Sequence, residues 1–173
     1  MVQEGAVILT HGDLDGMVSA ILLLRRLPAQ TPIQITNGEK LASLLGKLAA
    51  DVAGPPAIWI TDVPLVAGVA EQVRNAIGTL ADTGRAVHIY DHHLGWESPV
   101  GQEIGRLCKT FVVAANKTTA AAIVWSRFLR GEKESQRWLQ LLSERERSVD
   151  AGIRCDFAIL AALMQRQHWG LRR

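Results

Sequence analysis

The stretch AVILTHGDLDGMVSAILLL, residues 6–24, places an apolar run, a polar loop and an amphipathic segment in immediate succession. Its first five residues are continuously apolar or β-branched, which is typical of a strand buried on both faces of a parallel sheet. After the loop, Met17, Ala20 and Leu24 recur at helical spacing. A buried strand that leads directly into a helix is the repeating unit of parallel α/β folds. This stretch therefore predicts an α/β fold.

The same alternation continues along the chain. Further apolar runs predict strands at residues 32–36, 57–61, 85–90 and 110–115, and amphipathic segments between them predict helices. Two more helical segments follow, one ending near residue 148 and one covering 155–167. We therefore expect one domain over residues 1–173, an α/β fold with a doubly wound parallel sheet of four to five strands flanked by helices and a helical C-terminal part over 134–167.

Punctuating residues predict where several of these helices begin and end. Pro64 stands where the helix after the third strand is expected to begin, and Gly84 is placed to end it. Asn116 and Thr118 are candidate N-caps for the helix after the fifth strand.

The composition is that of an ordinary folded protein. Of 173 residues, 48% are hydrophobic and 21% are charged, and the net charge of +2 is too small to indicate a nucleic-acid partner by itself. The N-terminus lacks the features of a signal peptide, and no stretch approaches the roughly 18 apolar residues of a membrane span. Cys108 and Cys155 show no metal-ligand spacing, so reduced thiols in a cytoplasmic protein are expected.

Acidic and imidazole side chains follow three of the predicted strands, at the point where each strand ends. They are His11, Asp13 and Asp15 after the first strand, Asp62 after the third, and Asp91, His92 and His93 after the fourth. Because the carboxyl ends of parallel strands meet at one edge of a sheet, these side chains are expected to converge there.

Converging carboxylates need a cation. At about 4 Å and an effective dielectric near 20, each like-charged pair costs roughly 4 kcal/mol. Oxygen-rich sites with some imidazole suit Mn²⁺ or Mg²⁺, and this number of ligands fits two ions better than one. Two such ions hold a phosphate and activate a bridging water for attack on phosphorus. Taken singly, each motif has a plainer interpretation: a turn with an Asp helix cap at 11–16, a helix cap at Asp62, and a surface turn at 92–93.

The motifs resemble those of a known family. HGDLDG at 11–16, the Asp of ITDVP at 60–64 and DHH at 91–93 are similar, in order and approximate spacing, to motifs I, II and III of the DHH phosphoesterase superfamily. NKTTAAAIVW at 116–125 resembles the helix opening that follows DHH in many members, and SVDAG at 148–152 resembles motif IV. That superfamily includes RecJ-like exonucleases, nanoRNases, pAp phosphatases and cyclic-dinucleotide phosphodiesterases.

The resemblance implies a role for each matching residue. One Mn²⁺ would be held by His11, Asp13 and Asp62, and the other by Asp15, Asp62, His92 and Asp150, with Asp62 bridging and Asp156 as the alternative to Asp150. Asp91 would orient an imidazole, and His93 would contact the scissile phosphate or its leaving oxygen. Lys117, Thr118 and Thr119 would add phosphate contacts at a helix N-terminus, although plain helix capping explains them equally well.

The resemblance also implies a function. The chain is expected to be a Mn²⁺-dependent phosphoesterase, with Mg²⁺ as the alternative ion, acting on short or single-stranded nucleic acid or on a small nucleotide. Trp96 is expected either to stack on a base or to pack internally. Most members carry a second domain with a GGGH motif that grips substrate, and this sequence lacks it. A partner subunit or symmetry mate is therefore expected to complete the cleft. The alternative is a non-catalytic scaffold in a nucleic-acid-processing complex.

Overall fold

The computed structural model describes residues 5–115 and 118–147. Its centre is a five-stranded sheet in the order β2-β1-β3-β4-β5, and every pairing is parallel. The predicted α/β class and the strand count are confirmed. The strands are β1 (Ala6–Thr10), β2 (Ile33–Ile35), β3 (Ala57–Thr61), β4 (Ala86–Asp91) and β5 (Thr110–Val113).

Helices cover both faces of this sheet. They are α1 (Leu14–Leu24), α2 (Gly38–Ala50), α3 (Ala70–Asp82), α4 (Pro99–Leu107), α5 (Ala120–Phe128) and α6 (Lys133–Arg147), with short 3₁₀ turns at Ala67–Val69 and Leu94–Glu97. Helices α2, α3 and α4 build the apolar core on one face, around Leu41, Val73 and Ile104. Helices α1, α5 and α6 build the core on the other, around Leu22 and Val124. The sheet is doubly wound, as predicted.

Helix boundaries follow the capping chemistry of the sequence, with two corrections. Gly84 has φ +77° directly after the end of α3, as expected. Pro64 does not begin this helix: a 3₁₀ turn intervenes, and α3 begins at Ala70. For α5 the N-cap is Thr119, whose hydroxyl accepts from the N–H of Ala122, and not Thr118. The other candidate, Asn116, lies outside the described residues.

The strand order decides where a site can form. The chain leaves β1 toward β2 on one side, and the later strands β3, β4 and β5 lie on the other side of β1. In such sheets the loops at the carboxyl ends of the strands diverge near this reversal and leave a crevice. The loops after β1, β3 and β4 all open at this edge, and they carry the predicted motifs.

Some predictions fall on residues that the structure does not describe. These are Lys117, Asp150, Cys155, Asp156 and the helix expected over 155–167. Among the helices that are described, none is both long and apolar enough to cross a bilayer.

Candidate metal centre

Two groups of side chains that could hold a metal ion lie at the carboxyl edge of the sheet, and they share one residue. The first consists of His11, Asp13 and Asp62, and the second of Asp62, His92 and His93. Within each group one ligand atom per residue lies within 4.8 Å of the others. Side chains from three loops distant in sequence therefore converge, as the strand-end argument predicted.

Asp62 occupies the centre of the arrangement in a constrained conformation. Its φ of +59° is in the left-handed region, which is uncommon for any residue other than glycine. The residue is 1% exposed, and its Oδ1 lies 3.0 Å from Nε2 of His92. Its Oδ2 is buried and receives no hydrogen bond from the described part of the chain. A buried acceptor left open in this way is available to a cation.

The electrostatics of Asp62 also favour a cation. Burial, followed by the neighbouring charges of Asp15 and Asp13, raises its pKa to about 10. The metal-free protein therefore holds a proton on Asp62 at neutral pH, because a buried carboxylate beside two others is too costly. A divalent cation would replace that proton and stabilise the ionised form.

Asp13 and His11 form the outer side of the centre. His11 Nδ1 and Asp13 Oδ2 are 2.8 Å apart, and Asp13 Oδ1 accepts from the N–H of Gly16 at 3.0 Å. Burial acts to raise the pKa of Asp13, but the Gly16 N–H, Asp62 and His11 outweigh it, and the pKa lies below its ordinary value. Asp13 is thus both the N-cap of α1 and a charged candidate ligand, so the helix-cap interpretation and the metal interpretation are compatible.

His93 is oriented by Asp91. The fully buried Asp91 accepts through Oδ1 from Nδ1 of His93 and from the backbone N–H of the same residue, both at 2.7 Å. This hydrogen bond is the main cause of a raised pKa at His93, which burial partly offsets. With Nδ1 engaged by Asp91, Nε2 is the ring nitrogen left for another partner. This contact is of the kind expected of a residue that orients an imidazole, the role predicted for Asp91.

Asp15 is placed differently from a simple ligand. Its Oδ2 accepts from the N–H of Ala120 at 2.8 Å and its Oδ1 from the N–H of Ala121 at 2.9 Å. Oδ2 is also 3.5 Å from Nε2 of His92. Burial raises the pKa of Asp15, and the two amides partly oppose that shift. Asp15 thus borders the centre while both of its oxygens bind the start of α5.

Trp96 packs internally. Its ring is fully buried, and its indole N–H donates to the carbonyl of Val63 at 2.8 Å. It also meets Phe111 edge to face, with centroids 6.2 Å apart. No face of this ring is open to a base, so the packing interpretation is the correct one of the two.

The comparisons with known proteins show the fold alone. No family model matches the chain, and no curated protein matches it. The structure is similar to the crystal structure of an uncharacterized protein from Helicobacter pylori G27, with a TM-score of 0.54 and 16% identity. The match covers 93% of this chain and 49% of the other, so this chain spans about half the length of that protein.

Two features of the site had no signal in the sequence. Asp15 accepts hydrogen bonds from Ala120 and Ala121, which are more than a hundred residues away in the sequence. The donors are backbone amides, which every residue type except proline has, so residue type could not indicate this contact. His93 was expected to contact phosphate, but one of its ring nitrogens also lies within 4.8 Å of a ligand atom of Asp62 and of His92. Asp62 and His92 were predicted to lie at the same edge of the sheet, and they meet there because β3 and β4 are neighbours.

Proposed function

We propose that this chain is a two-metal phosphoesterase of the DHH type. The observation that carries the proposal is the pair of ligand groups that share the buried Asp62. The motifs that resemble the DHH superfamily supply the same residues. The fold supports it too, because ligands of doubly wound sheets bind at this edge.

The donor set fits Mn²⁺ or Mg²⁺. It consists of carboxylate oxygens and imidazole nitrogens, without a thiolate among the described candidates. Ions bound there would polarise a phosphate ester and lower the pKa of a bound water. Asp62 provides the shared carboxylate, with His11 and Asp13 on one side and His92 on the other.

His93 is the residue we assign to the phosphate or its leaving oxygen. Asp91 fixes its ring through Nδ1 and raises its pKa, so the ring carries a proton over a wider pH range than a free histidine. A protonated imidazole binds an anionic phosphate oxygen, or donates a proton to an oxygen that leaves. Asp15 and, from the resemblance, Asp150 complete the proposed set, and Lys117, Thr118 and Thr119 remain proposed phosphate contacts.

The proposed substrates are short or single-stranded nucleic acids and small nucleotides, in the cytoplasm. Since Trp96 is buried, it does not serve as a base platform. We therefore assign recognition of the base to a partner subunit or a second copy of the chain that covers the edge of the sheet.

A substrate panel tests the proposal. Purified protein with Mn²⁺ is incubated with single-stranded DNA, short RNA, a cyclic dinucleotide and pAp, and product size is read out. Asp13→Asn should reduce the rate by about a hundredfold or more, since it removes a charged ligand. The control Asp82→Asn changes an exposed acid at the end of α3 and should leave the rate unaltered.

Two results would contradict the proposal. If wild-type protein treated with EDTA melts at the same temperature with and without added Mn²⁺, no metal centre is present. At a free Mn²⁺ concentration about 100 times the Kd, binding should raise the free energy of unfolding by about 2.7 kcal/mol. If Mn²⁺ binds but no substrate is hydrolysed, the scaffold function replaces the enzymatic one.

A further inference from the structure

A chain of contacts joins helix α5 to the candidate metal centre through Asp15. The N–H groups of Ala120 and Ala121 donate to the two carboxylate oxygens at 2.8 and 2.9 Å. One of those oxygens is 3.5 Å from Nε2 of His92, and the same nitrogen is 3.0 Å from Oδ1 of Asp62. The start of α5 is thus connected to the shared ligand by consecutive polar contacts.

Asp15 itself lies in the first turn of helix α1, where the backbone has little room to move. A Cβ on the next residue, Gly16, would lie 2.5 Å from the carbonyl oxygen of His11 and 2.9 Å from Oγ1 of Thr10. The Thr10 hydroxyl also donates to the Gly16 carbonyl at 2.7 Å. Asp15 is 8% exposed, so its carboxylate is shielded from water. The start of α1 therefore presents this carboxylate in a fixed place, and α5 docks against it.

The contact is chemically strong for a helix end. An anion at a helix N-terminus is favoured by the helix dipole and by the first free N–H groups. Thr119 satisfies the N–H of Ala122, so Asp15 and this cap together account for the first amides of α5. Helix α5 is further held by packing on α1, where Val124 and Val18 are buried in the same apolar cluster.

We infer that Asp15 is a positioning residue that couples the docking of α5 to metal binding at the Asp62 and His92 side of the centre. The inference rests on the proposed function, because it presumes that a metal binds there. A carboxylate oxygen has two lone pairs, so Asp15 accepts from α5 and still faces a cation. Docked α5 holds the carboxylate toward His92, and a bound cation in turn holds the carboxylate toward α5. Coupling of this kind is reciprocal.

A matched pair of cavity variants tests the coupling. Val124→Ala loosens α5, and Val73→Ala removes the same atoms from an equally buried position on α3, across the sheet. Neither changes a ligand. Mn²⁺ affinity is measured by calorimetry under conditions where both variants are folded. We expect Val124→Ala to weaken Mn²⁺ binding by about fivefold or more, with Val73→Ala within about twofold of wild type. Equal effects of the two variants would overturn the coupling.

Hydrogen exchange tests the contact between Asp15 and the first amides of α5 in the absence of metal. In EDTA, Asp15→Asn should speed exchange of the Ala120 and Ala121 amides by about tenfold or more, because Asn offers one acceptor oxygen and no charge. In wild-type protein, Mn²⁺ should slow the same exchange. Unchanged exchange in Asp15→Asn would refute the positioning role.

The two failures are distinguishable. If wild-type protein binds no Mn²⁺, the proposed function and the coupling are both wrong. If it binds Mn²⁺ and Val124→Ala behaves as Val73→Ala does, the proposed function stands and the coupling alone is wrong.

Discussion

Replacing Asp62 by Asn should stabilise the metal-free protein, although it removes the central ligand. Burial beside Asp15 and Asp13 raises the pKa of Asp62 from 3.8 to about 10. Between these values the folded protein keeps a proton that the unfolded chain releases. The stability of the wild type therefore falls as the pH rises through this window.

The magnitude follows from proton linkage. One proton held only by the folded protein lowers the free energy of unfolding by about 1.4 kcal/mol for each unit by which the pH rises. From about pH 5 to about pH 8 the wild type should lose up to about 4 kcal/mol relative to Asp62→Asn. Asn keeps the shape of the protonated side chain and retains a hydrogen-bond donor. It also tolerates the left-handed backbone at this position, where φ is +59°.

Urea unfolding in EDTA at several pH values measures this difference. The stability gap between Asp62→Asn and the wild type should widen as the pH rises, whereas Asp82→Asn, at an exposed position, should follow the wild type. Added Mn²⁺ should reverse the order, because only the wild type retains the carboxylate proposed to bridge the two ions. A gap that stays constant with pH would refute the argument that Asp62 is buried with a proton.

Two further predictions concern a buried histidine of β4 and two glycines on helices. Burial, with a smaller effect from Lys109, lowers the pKa of His88 from 6.5 to about 4, so the unfolded chain binds a proton in that window and the folded protein does not. The free energy of unfolding should therefore fall by up to about 3 kcal/mol as the pH drops through this window. His88→Gln should reduce this dependence on pH, measured by urea unfolding. An unchanged dependence in the variant would contradict the prediction. Gly16→Ala should destabilise by about 1–3 kcal/mol, because its Cβ would meet the His11 carbonyl at 2.5 Å. Gly46→Ala on α2, where nothing lies within 4 Å of the added atom, should instead stabilise by about 0.5–1 kcal/mol, and thermal melting compares the two.

The order of strands and helices could be predicted because hydrophobic periodicity is a local property. The run at 6–10 and the helical spacing of Met17, Ala20 and Leu24 need no knowledge of distant residues. Helix ends were less predictable. The candidates Asn116 and Thr118 precede the observed cap Thr119 by three residues and one residue. Both Asn and Thr have hydrogen-bonding side chains, so their chemistry alone does not choose among these positions.

The convergence of the ligands was also within reach of the sequence. Parallel strands end at the same edge, so His11, Asp62 and His92 were expected at one edge once the sheet was predicted to be parallel. They meet there because β1, β3 and β4 are neighbours in the sheet, and this order was not predicted. The sequence thus determined the fold class and which side chains lie at this edge.

Only the tertiary structure decided how those side chains are arranged. It engaged Asp15 with α5, bound Nδ1 of His93 to Asp91, and enclosed Trp96 in the core. The physical reason is that each outcome depends on a rotamer and on backbone groups brought close by folding. Residue type and spacing specify which chemical groups are present, but the direction in which a group points is set by the contacts that surround it.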